Sequence, residues 1–397
     1  MSQMQILNMK PQEMTGYSYL CNCGKTHSVD IKKIAVGKGT VNRVPELLEE
    51  YRDKKIIVVS DKNTWEIAGK KVCDILKESD FTQVSTYIAE SEDYPIVVPD
   101  ERVVARLLYE TPNDTALLLA VGSGTINDLC KIVSYKMGIA SATIGTAPSM
   151  DGYASPMSPL IVNNSKVTYL SHYPVAIVCD SEIMATAPKI MFQAGFGDIV
   201  GKYTALADWQ LTVKMNGEYY CETTAELVRN AVNLCVENAE KYMAGDYDAI
   251  DTMNDALLLS GIAMGLVGIS RPASGCEHHM AHFWELDALK KGIDHPLHGN
   301  SVGVGSIVAC EAYKIMKERY EDVREIEVPD PDFIRDIYRK TGSALTPGEI
   351  GVPRDVFNDC INNAYRIRPR YTIFNYAKNA GFLPELANIL TEVFYGK

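Results

Sequence analysis

Between residues 31 and 180, short apolar runs alternate with helical patterns, and this alternation limits the fold more than any other feature of the chain. The run 55–60 (KIIVVS) and the run 115–121 (TALLLAV) are almost continuously apolar. Shorter runs at 33–36, 84–88, 139–144 and 175–178 have the same character. Helical spacing over 65–77, 100–109 and 125–135 separates them. Strands without polar alternation need cover on both faces, which indicates a parallel sheet flanked by helices. From about Ala185 the strand signals stop. Ala187-Pro188 opens a helix, and helices are predicted over 199–215, 221–244, 247–266, around the 278–282 histidines, and over 306–319, 331–341 and 353–364. The expectation is a Rossmann-like α/β domain over residues 1–185 and an all-α domain over 186–397.

Composition narrows the functional classes. The chain has 397 residues, 46% hydrophobic and 23% charged, which suits two ordinary globular domains. A net charge of −12 argues against nucleic acid or an anionic membrane as partner. It does not exclude a small anionic substrate held in a local basic pocket. Ten scattered cysteines form no disulfide framework and suggest a reducing, cytoplasmic setting. The N-terminal stretch MSQMQILNMKPQEM lacks a basic region and an apolar core, so no secretory signal is expected. The apolar run 256–269 is interrupted by Ser260 and is too short to span a bilayer, so no membrane insertion is expected.

Five of the seven histidines lie between Arg271 and Gly305: His278, His279, His282, His295 and His298. His278 and His282 are four residues apart and share one face of a helix. Pro296 and Gly299 bracket His298 at a loop or the start of a helix. Clustered imidazoles near acids have the composition of a divalent-metal site, although a surface-polar helix offers the same pattern. His279 would point about 100° away from His278.

Three loops follow the apolar runs. Gly122-Ser123-Gly124-Thr125 sits between a strand and a helix, where backbone N–H groups and the helix dipole favour a phosphate. Tight-turn glycines explain it equally well. Asp61 ends an earlier strand and suits either an adenosine ribose or a plain helix cap. Thr146 to Pro156 follows the next strand; within it Asp151 is either an acceptor for a substrate hydroxyl or a turn-forming residue before Gly152. Farther on, Asp198 lies in a Gly-rich segment as a first-turn acid, or as an oxygen ligand if a histidine metal site needs one. Near the N-terminus, Cys21, Cys23 and His27 resemble part of a zinc knuckle. No matching second half follows, so a β-hairpin carrying incidental thiols is expected.

GSGTINDLCK at 122–131, TAPSMDGYASP at 146–156, GFGDIVGK at 195–202, SRPASGCEHHMAHFWE at 270–285 and HGNSVGVG at 298–305 together resemble one family. It is the metal-dependent polyol dehydrogenases that include glycerol dehydrogenase, iron-type alcohol dehydrogenases and dehydroquinate synthase. The motifs are most similar to its sn-glycerol-1-phosphate dehydrogenase branch, in the bacterial form. The resemblance implies a dehydroquinate synthase-like fold with the active site in a cleft between the two domains. It implies one divalent metal on Asp198, His278 and His298, nickel in bacterial members and zinc in archaeal ones. It implies that NAD or NADP is held by Gly122, Ser123, Gly124, Thr125, Ile126, Thr146, Ala147, Pro148 and Ser149, helped by Ser155 and Asp61. Asp151, His282 and Asp198 would contact the substrate, with Asp198 and His282 as the catalytic pair.

The implied activity is NAD(P)H-linked reduction of dihydroxyacetone phosphate to glycerol 1-phosphate, and the reverse, feeding glycerophospholipid synthesis. Lys202, Arg271 and Lys131 are candidates for the substrate phosphate. A homo-oligomer is expected. A glycerol dehydrogenase acting on an unphosphorylated polyol and a dehydroquinate-synthase-like lyase are the rival activities. The last seventy or so residues carry no motif.

Overall fold

The computed structural model describes residues 6–92, 94–163 and 165–396. Residues 1–5, the start of the stretch expected to hold no secretory signal, and residue 397 at the end of the expected helical domain lie outside the described residues. A small antiparallel hairpin, β1 (Ser18–Leu20) and β2 (Thr26–Ser28), comes first. The main sheet begins with β3 (Lys33–Val36), β4 (Lys55–Ser60), β5 (Val84–Ile88), β6 (Thr115–Gly122) and β7 (Ala140–Gly145). A second antiparallel hairpin, β8 (Met157–Val162) and β9 (Ser165–Leu170), interrupts it. Strand β10 (Ala176–Cys179) then returns to the main sheet. Among the described residues that sheet has six strands, all parallel, in the order β3-β10-β7-β6-β4-β5.

The sheet is covered on both faces, as the unalternated apolar runs require. Helices α1 (Lys70–Glu78), α2 (Glu101–Glu110) and α3 (Gly124–Met137) supply the cover. Ile56, Val58, Leu117 and Leu119 pack with Val72 and Leu76 on one face. Ile57, Val59, Leu118 and Ala120 pack with Val103, Leu107 and Leu129 on the other. Successive residues of β4 and β6 therefore feed two separate core layers, since side chains alternate across a strand. The hairpin β8–β9 was not expected from sequence. Pro159 interrupts β8, and β9 is largely exposed, so neither carries a buried-strand pattern.

Strand order also fixes where a ligand can sit. From β4 the chain steps out to β5, then crosses to β6 on the other side of β4 and continues to β7 and β10. The carboxyl ends of β4 and β6 thus flank a topological switch point, the crevice in which open α/β sheets hold their ligands. Asp61 follows β4 and Gly122 ends β6.

The rest of the chain is helical. The helix expected to open at Ala187-Pro188 is α4 (Lys189–Val200), with Pro188 at its N-cap, and the one expected over 199–215 is α5 (Lys202–Asn216), separated from α4 at Gly201. The expected 221–244 helix is α6 (Glu222–Glu237) followed by a short Ala239–Met243 segment. Next come α7 (Tyr247–Val267), α8 (Cys276–Lys291) and α9 (His298–Arg319), the last starting earlier than residue 306. Then follow α10 (Pro331–Thr341), α11 (Arg354–Asn363), α12 (Ile373–Asn379) and α13 (Leu383–Tyr395). Helix α7 is long and apolar enough to cross a membrane by composition, but it is mostly buried among other elements, as in a core helix.

Two devices bring the candidate site residues together. Helices α4 and α9 meet backbone to backbone: a methyl group on Gly197 would overlap the carbonyl of Gly299. That approach carries Asp198 up to His298. Asp208 on α5, fully buried, accepts the backbone N–H of Cys276 at 2.7 Å and of Ile373 at 2.8 Å, and the Tyr313 hydroxyl at 2.7 Å. One carboxylate therefore ties down the N-termini of α8 and α12. Burial, then the neighbouring Glu277 charge, pushes its pKa up to about 6.

Candidate functional site

Helix α8 projects His278 and His282 from one face, as their spacing requires, and α9 begins at His298. The three rings gather: centroids of His278 and His298 lie 5.3 Å apart, and those of His282 and His298 5.1 Å apart in a stacked pair. One ligand atom each from Asp198, His278 and His298 falls within 4.8 Å of the others. An oxygen and two imidazole nitrogens are a donor set for a divalent transition metal. The His298 Nδ1 atom is buried without a hydrogen-bond partner, so the site has unused donor capacity.

The carboxylates and the buried lysine around this cluster are tightly knit. Asp198 Oδ1 accepts from Lys202 Nζ at 2.7 Å and lies 3.5 Å from His278 Nε2. Its Oδ2 accepts the backbone N–H of Asp151 at 3.1 Å. Lys202 Nζ also meets Asp151 Oδ2 at 2.9 Å, and Ser260 on α7 donates to that oxygen at 2.8 Å. Burial would raise the Asp198 pKa, but the Lys202 charge and the His278 contacts outweigh it and hold the carboxyl ionised. Burial would likewise lower Lys202, yet Asp151 and Asp198 raise it, so the ammonium stays charged.

Glu277 orients His278. Its Oε1 lies 2.7 Å from His278 Nδ1 and accepts the Gly275 N–H at 2.6 Å, while Thr204 donates to Oε2 at 2.7 Å. A carboxylate on one ring nitrogen fixes the tautomer and aims the other nitrogen at a ligand. This leaves His278 Nε2 turned toward Asp198. Sequence reasoning passed over Glu277; its position directly before a candidate ligand histidine is the signal that was available.

His282 has a different environment. Arg368 Nη2 donates to its Nε2 at 3.1 Å, and Glu285 Oε2 lies 3.7 Å from its Nδ1. Burial lowers the His282 pKa to about 3, against the opposing pull of Glu285, so the ring is neutral. Lys166 on β9 reaches Glu285 at 2.6 Å, which is how the unexpected hairpin joins the site. Arg368 and Arg370 come from the last seventy residues, in which no motif was found. Arg370 donates to the Ser274 carbonyl at 2.8 Å and to Ser270 Oγ at 2.6 Å. Burial, then Arg368 and Arg271, lower its pKa to about 10.

The other candidate residues divide. Lys131 is fully buried and donates to the carbonyls of Gly152, Ser155 and Met157, with Asp128 at 3.0 Å, so it organises the 152–157 loop. Arg271 is engaged by Glu218 through two bonds, 2.9 and 2.6 Å, and by the Tyr371 carbonyl. These two of the three phosphate candidates are therefore already occupied. Lys202 is at the site but neutralised by two carboxylates. His279 is fully buried with neither ring nitrogen bonded, and His295 is exposed, away from the cluster.

On the sheet side, α3 starts at Gly124 after Ser123, whose side chain makes no capping bond. The first-turn N–H groups of α3 can donate to an external anion. Gly122 allows the turn, since a methyl group there would overlap Ile126. The Ile126 side chain itself belongs to the core, leaving only its backbone for a ligand. Thr146 donates its N–H to the Gly122 carbonyl at 3.1 Å, which joins the two loops. The Pro148 carbonyl accepts from Tyr242 at 3.2 Å, and Gly195 leaves room for that carbonyl. Ala147 is buried and Ser149 half-buried. Ser155 is buried, and its hydroxyl accepts the Met157 N–H at 3.2 Å. Asp61 caps the Lys62–Thr64 turn, taking the Asn63 and Thr64 N–H groups on Oδ1 at 2.8 and 2.9 Å.

Residues 35–188 match the iron-containing alcohol dehydrogenase family. The glycerol-1-phosphate dehydrogenase of Geobacillus thermodenitrificans is 33% identical over 96% of this chain and 100% of its own length. That of Hyperthermus butylicus is 32% identical over 92% and 98%. Sulfoacetaldehyde reductase from Bifidobacterium kashiwanohense, solved with NAD+, superposes with a TM-score of 0.69 at 15% identity, covering 92% of this chain and 98% of that one. The last likeness speaks to fold alone.

Proposed function

The chain belongs to the NAD(P)-dependent glycerol-1-phosphate dehydrogenases, and on that premise we propose that the Asp198–His278–His298 cluster is its catalytic metal centre. The enzyme reduces the C2 carbonyl of dihydroxyacetone phosphate to glycerol 1-phosphate and runs the reverse oxidation. Residues 1–185 bind the nucleotide, and residues 186–397 carry the metal and the substrate. The convergence of those three side chains from three separate helices is the observation that carries the reading.

A bound divalent ion, nickel or zinc for this donor set, would polarise the carbonyl, and NAD(P)H would supply the hydride. The protein's own groups do the rest. Glu277 holds His278 in one tautomer. Lys202 keeps Asp198 ionised and holds the Asp151 carboxylate in place. Ser260 and Lys202 fix the Asp151 carboxylate for a substrate hydroxyl. His282 is neutral, with Arg368 on its Nε2 and Glu285 3.7 Å from its Nδ1, so it serves as a hydrogen-bonding contact for the substrate while water carries the proton to the developing alkoxide. The uncapped first turn of α3 and the 146–149 loop would hold the pyrophosphate and the nicotinamide.

Arg368 is our assignment for the substrate phosphate. Its guanidinium reaches into the histidine cluster, and its contacts there, His282 and Thr168, are both neutral. Such a group favours a dianion. Arg368→Ala is expected to weaken dihydroxyacetone phosphate by about 2 kcal/mol, roughly 30-fold in KM. Turnover of unphosphorylated dihydroxyacetone should be unchanged in the same variant. A parallel loss on both ketones would remove Arg368 from phosphate recognition.

Asp61→Ala is expected to cost about 1 kcal/mol of stability through the lost cap, read in urea unfolding. KM for NADH should rise more than KM for NADPH, because a ribose 2′-hydroxyl needs the carboxylate and a 2′-phosphate does not. Equal effects on the two cofactors would leave Asp61 as a cap only. The central experiment is NADH-dependent reduction of dihydroxyacetone phosphate, with chiral analysis of the product and a metal add-back series. Faster turnover of dihydroxyacetone or glycerol than of the phosphorylated pair would overturn the assignment.

A further inference from the structure

Far along the chain from the histidine stretch, four further ligating side chains meet. Cys21 and Cys23 lie on the turn between β1 and β2, and His27 is on β2. Cys221 arrives from the segment that leads into α6. The hairpin expected from sequence is present, and its two thiols meet a third from outside it. The second half, absent from the neighbouring sequence, is supplied by a cysteine two hundred residues away.

We propose that Cys21, Cys23, His27 and Cys221 form a structural zinc site, separate from the catalytic centre. Three of the six ligand–ligand separations already have the lengths of tetrahedral edges. Cys21 Sγ and Cys221 Sγ are 3.6 Å apart; His27 Nε2 is 3.3 Å from Cys23 Sγ and 3.4 Å from Cys221 Sγ. Zinc bonds of about 2.3 Å to sulfur and about 2.0 Å to nitrogen give tetrahedral edges of about 3.5–3.8 Å. All four ligand atoms lie within 4.8 Å of one another. Cys21, His27 and Cys221 are buried, so no solvent competes for three of the four positions.

The surroundings suit a bound cation. His27 Nδ1 donates to the Leu266 carbonyl at 2.5 Å, which fixes the tautomer and turns the Nε2 lone pair toward the three sulfurs. Thr224 donates its hydroxyl to Cys221 Sγ at 3.2 Å. Tyr219 OH stands 3.1 Å from Cys23 Sγ, and Thr223 Oγ1 3.4 Å from Cys21 Sγ. The Thr224 and Tyr219 hydroxyls can donate to thiolates. Gly24, at φ +84°, turns the chain so that the Gly24 N–H returns to the Cys21 carbonyl. Lys25 Nζ, 3.5 Å from the Tyr219 ring centre, offsets the surplus negative charge that three thiolates leave on a zinc dication. Soft thiolates with one imidazole select zinc over the oxygen-seeking cations. The ion would tie the N-terminal hairpin to the start of α6 and, through His27, to the end of α7.

The test is metal analysis of the purified full-length enzyme. Two divalent ions per chain are expected, one of them zinc that a thiol-directed mercurial releases in step with cysteine modification. Cys23→Ser and Cys221→Ser should each lose that zinc, keep the other ion and keep turnover at 25 °C within about twofold. Their melting temperatures should fall by ~5 °C or more. His298→Ala should show the opposite pattern, keeping the mercurial-released zinc. Cobalt replacement should give thiolate charge-transfer absorption in wild type and His298→Ala, and none in Cys23→Ser. The cobalt spectrum of wild type decides the matter even if the cysteine variants do not fold. Wild-type protein with no thiolate-bound cobalt, or with a disulfide among these cysteines in non-reducing mass spectra, overturns the proposal. An unchanged ion count in folded Cys23→Ser does the same.

Discussion

Asp198→Asn is expected to empty the catalytic cluster of its metal and to lower kcat about a thousandfold. The amide keeps the shape of the side chain but removes the charge on the one oxygen-donor residue of the triad. Two neutral imidazoles then face a dication alone. Metal polarisation of a carbonyl supplies several kcal/mol of transition-state stabilisation, and each 1.36 kcal/mol is tenfold in rate, so a loss of about 4 kcal/mol gives roughly 10³. Ion content of the purified variant and steady-state rates with dihydroxyacetone phosphate measure both halves of the expectation. Full metal occupancy with full turnover would show that the site lies elsewhere. The hydrogen bond from the Asp151 N–H can be kept by the amide oxygen, so the fold should survive.

Lys202→Met is expected to carry the largest stability cost, about 3–5 kcal/mol in the metal-free protein. Lys202 is fully buried and bridges two carboxylates, at 2.7 Å to Asp198 and 2.9 Å to Asp151. Taking away the cation leaves both negative charges close together and unpaired in a low dielectric. Methionine fills the space, so the loss is electrostatic. A bound divalent ion would replace part of the missing charge. The cost should therefore shrink when metal is added, and urea unfolding with and without metal reads this difference. A metal-free variant as stable as wild type would mean that Lys202 does not hold the two carboxylates together.

The sequence was informative about one half of this site and silent about the other. The strand ends were legible because β4 and β6 are buried on both faces and read as unbroken apolar runs. The histidine helix was legible because a four-residue spacing has one meaning on a helix. Arg368 and Glu285 were not legible. An arginine in the run Arg366-Ile367-Arg368-Pro369-Arg370 looks like a solvated charge, and only folding shows it beside His282. Lys131 and Arg271 failed in the opposite direction. Both looked available, and both are consumed by carbonyl or carboxylate partners more than twenty residues away in sequence. The β8–β9 hairpin was missed because an exposed two-stranded ribbon buries too little to leave a pattern.

By itself, then, the sequence determined the parallel sheet, the helical remainder and the residue types available for metal and nucleotide. Local spacing and burial periodicity encode those properties within ten or twenty residues. The tertiary structure alone decided which of those groups meet. Asp198 reaches His298 because Gly197 lets α4 lie directly on the backbone of α9. Cys221 completes the N-terminal cysteine cluster because α6 begins beside a hairpin two hundred residues upstream. Ligand sets of this kind depend on close approach between distant segments, and no local pattern in a single chain records that distance.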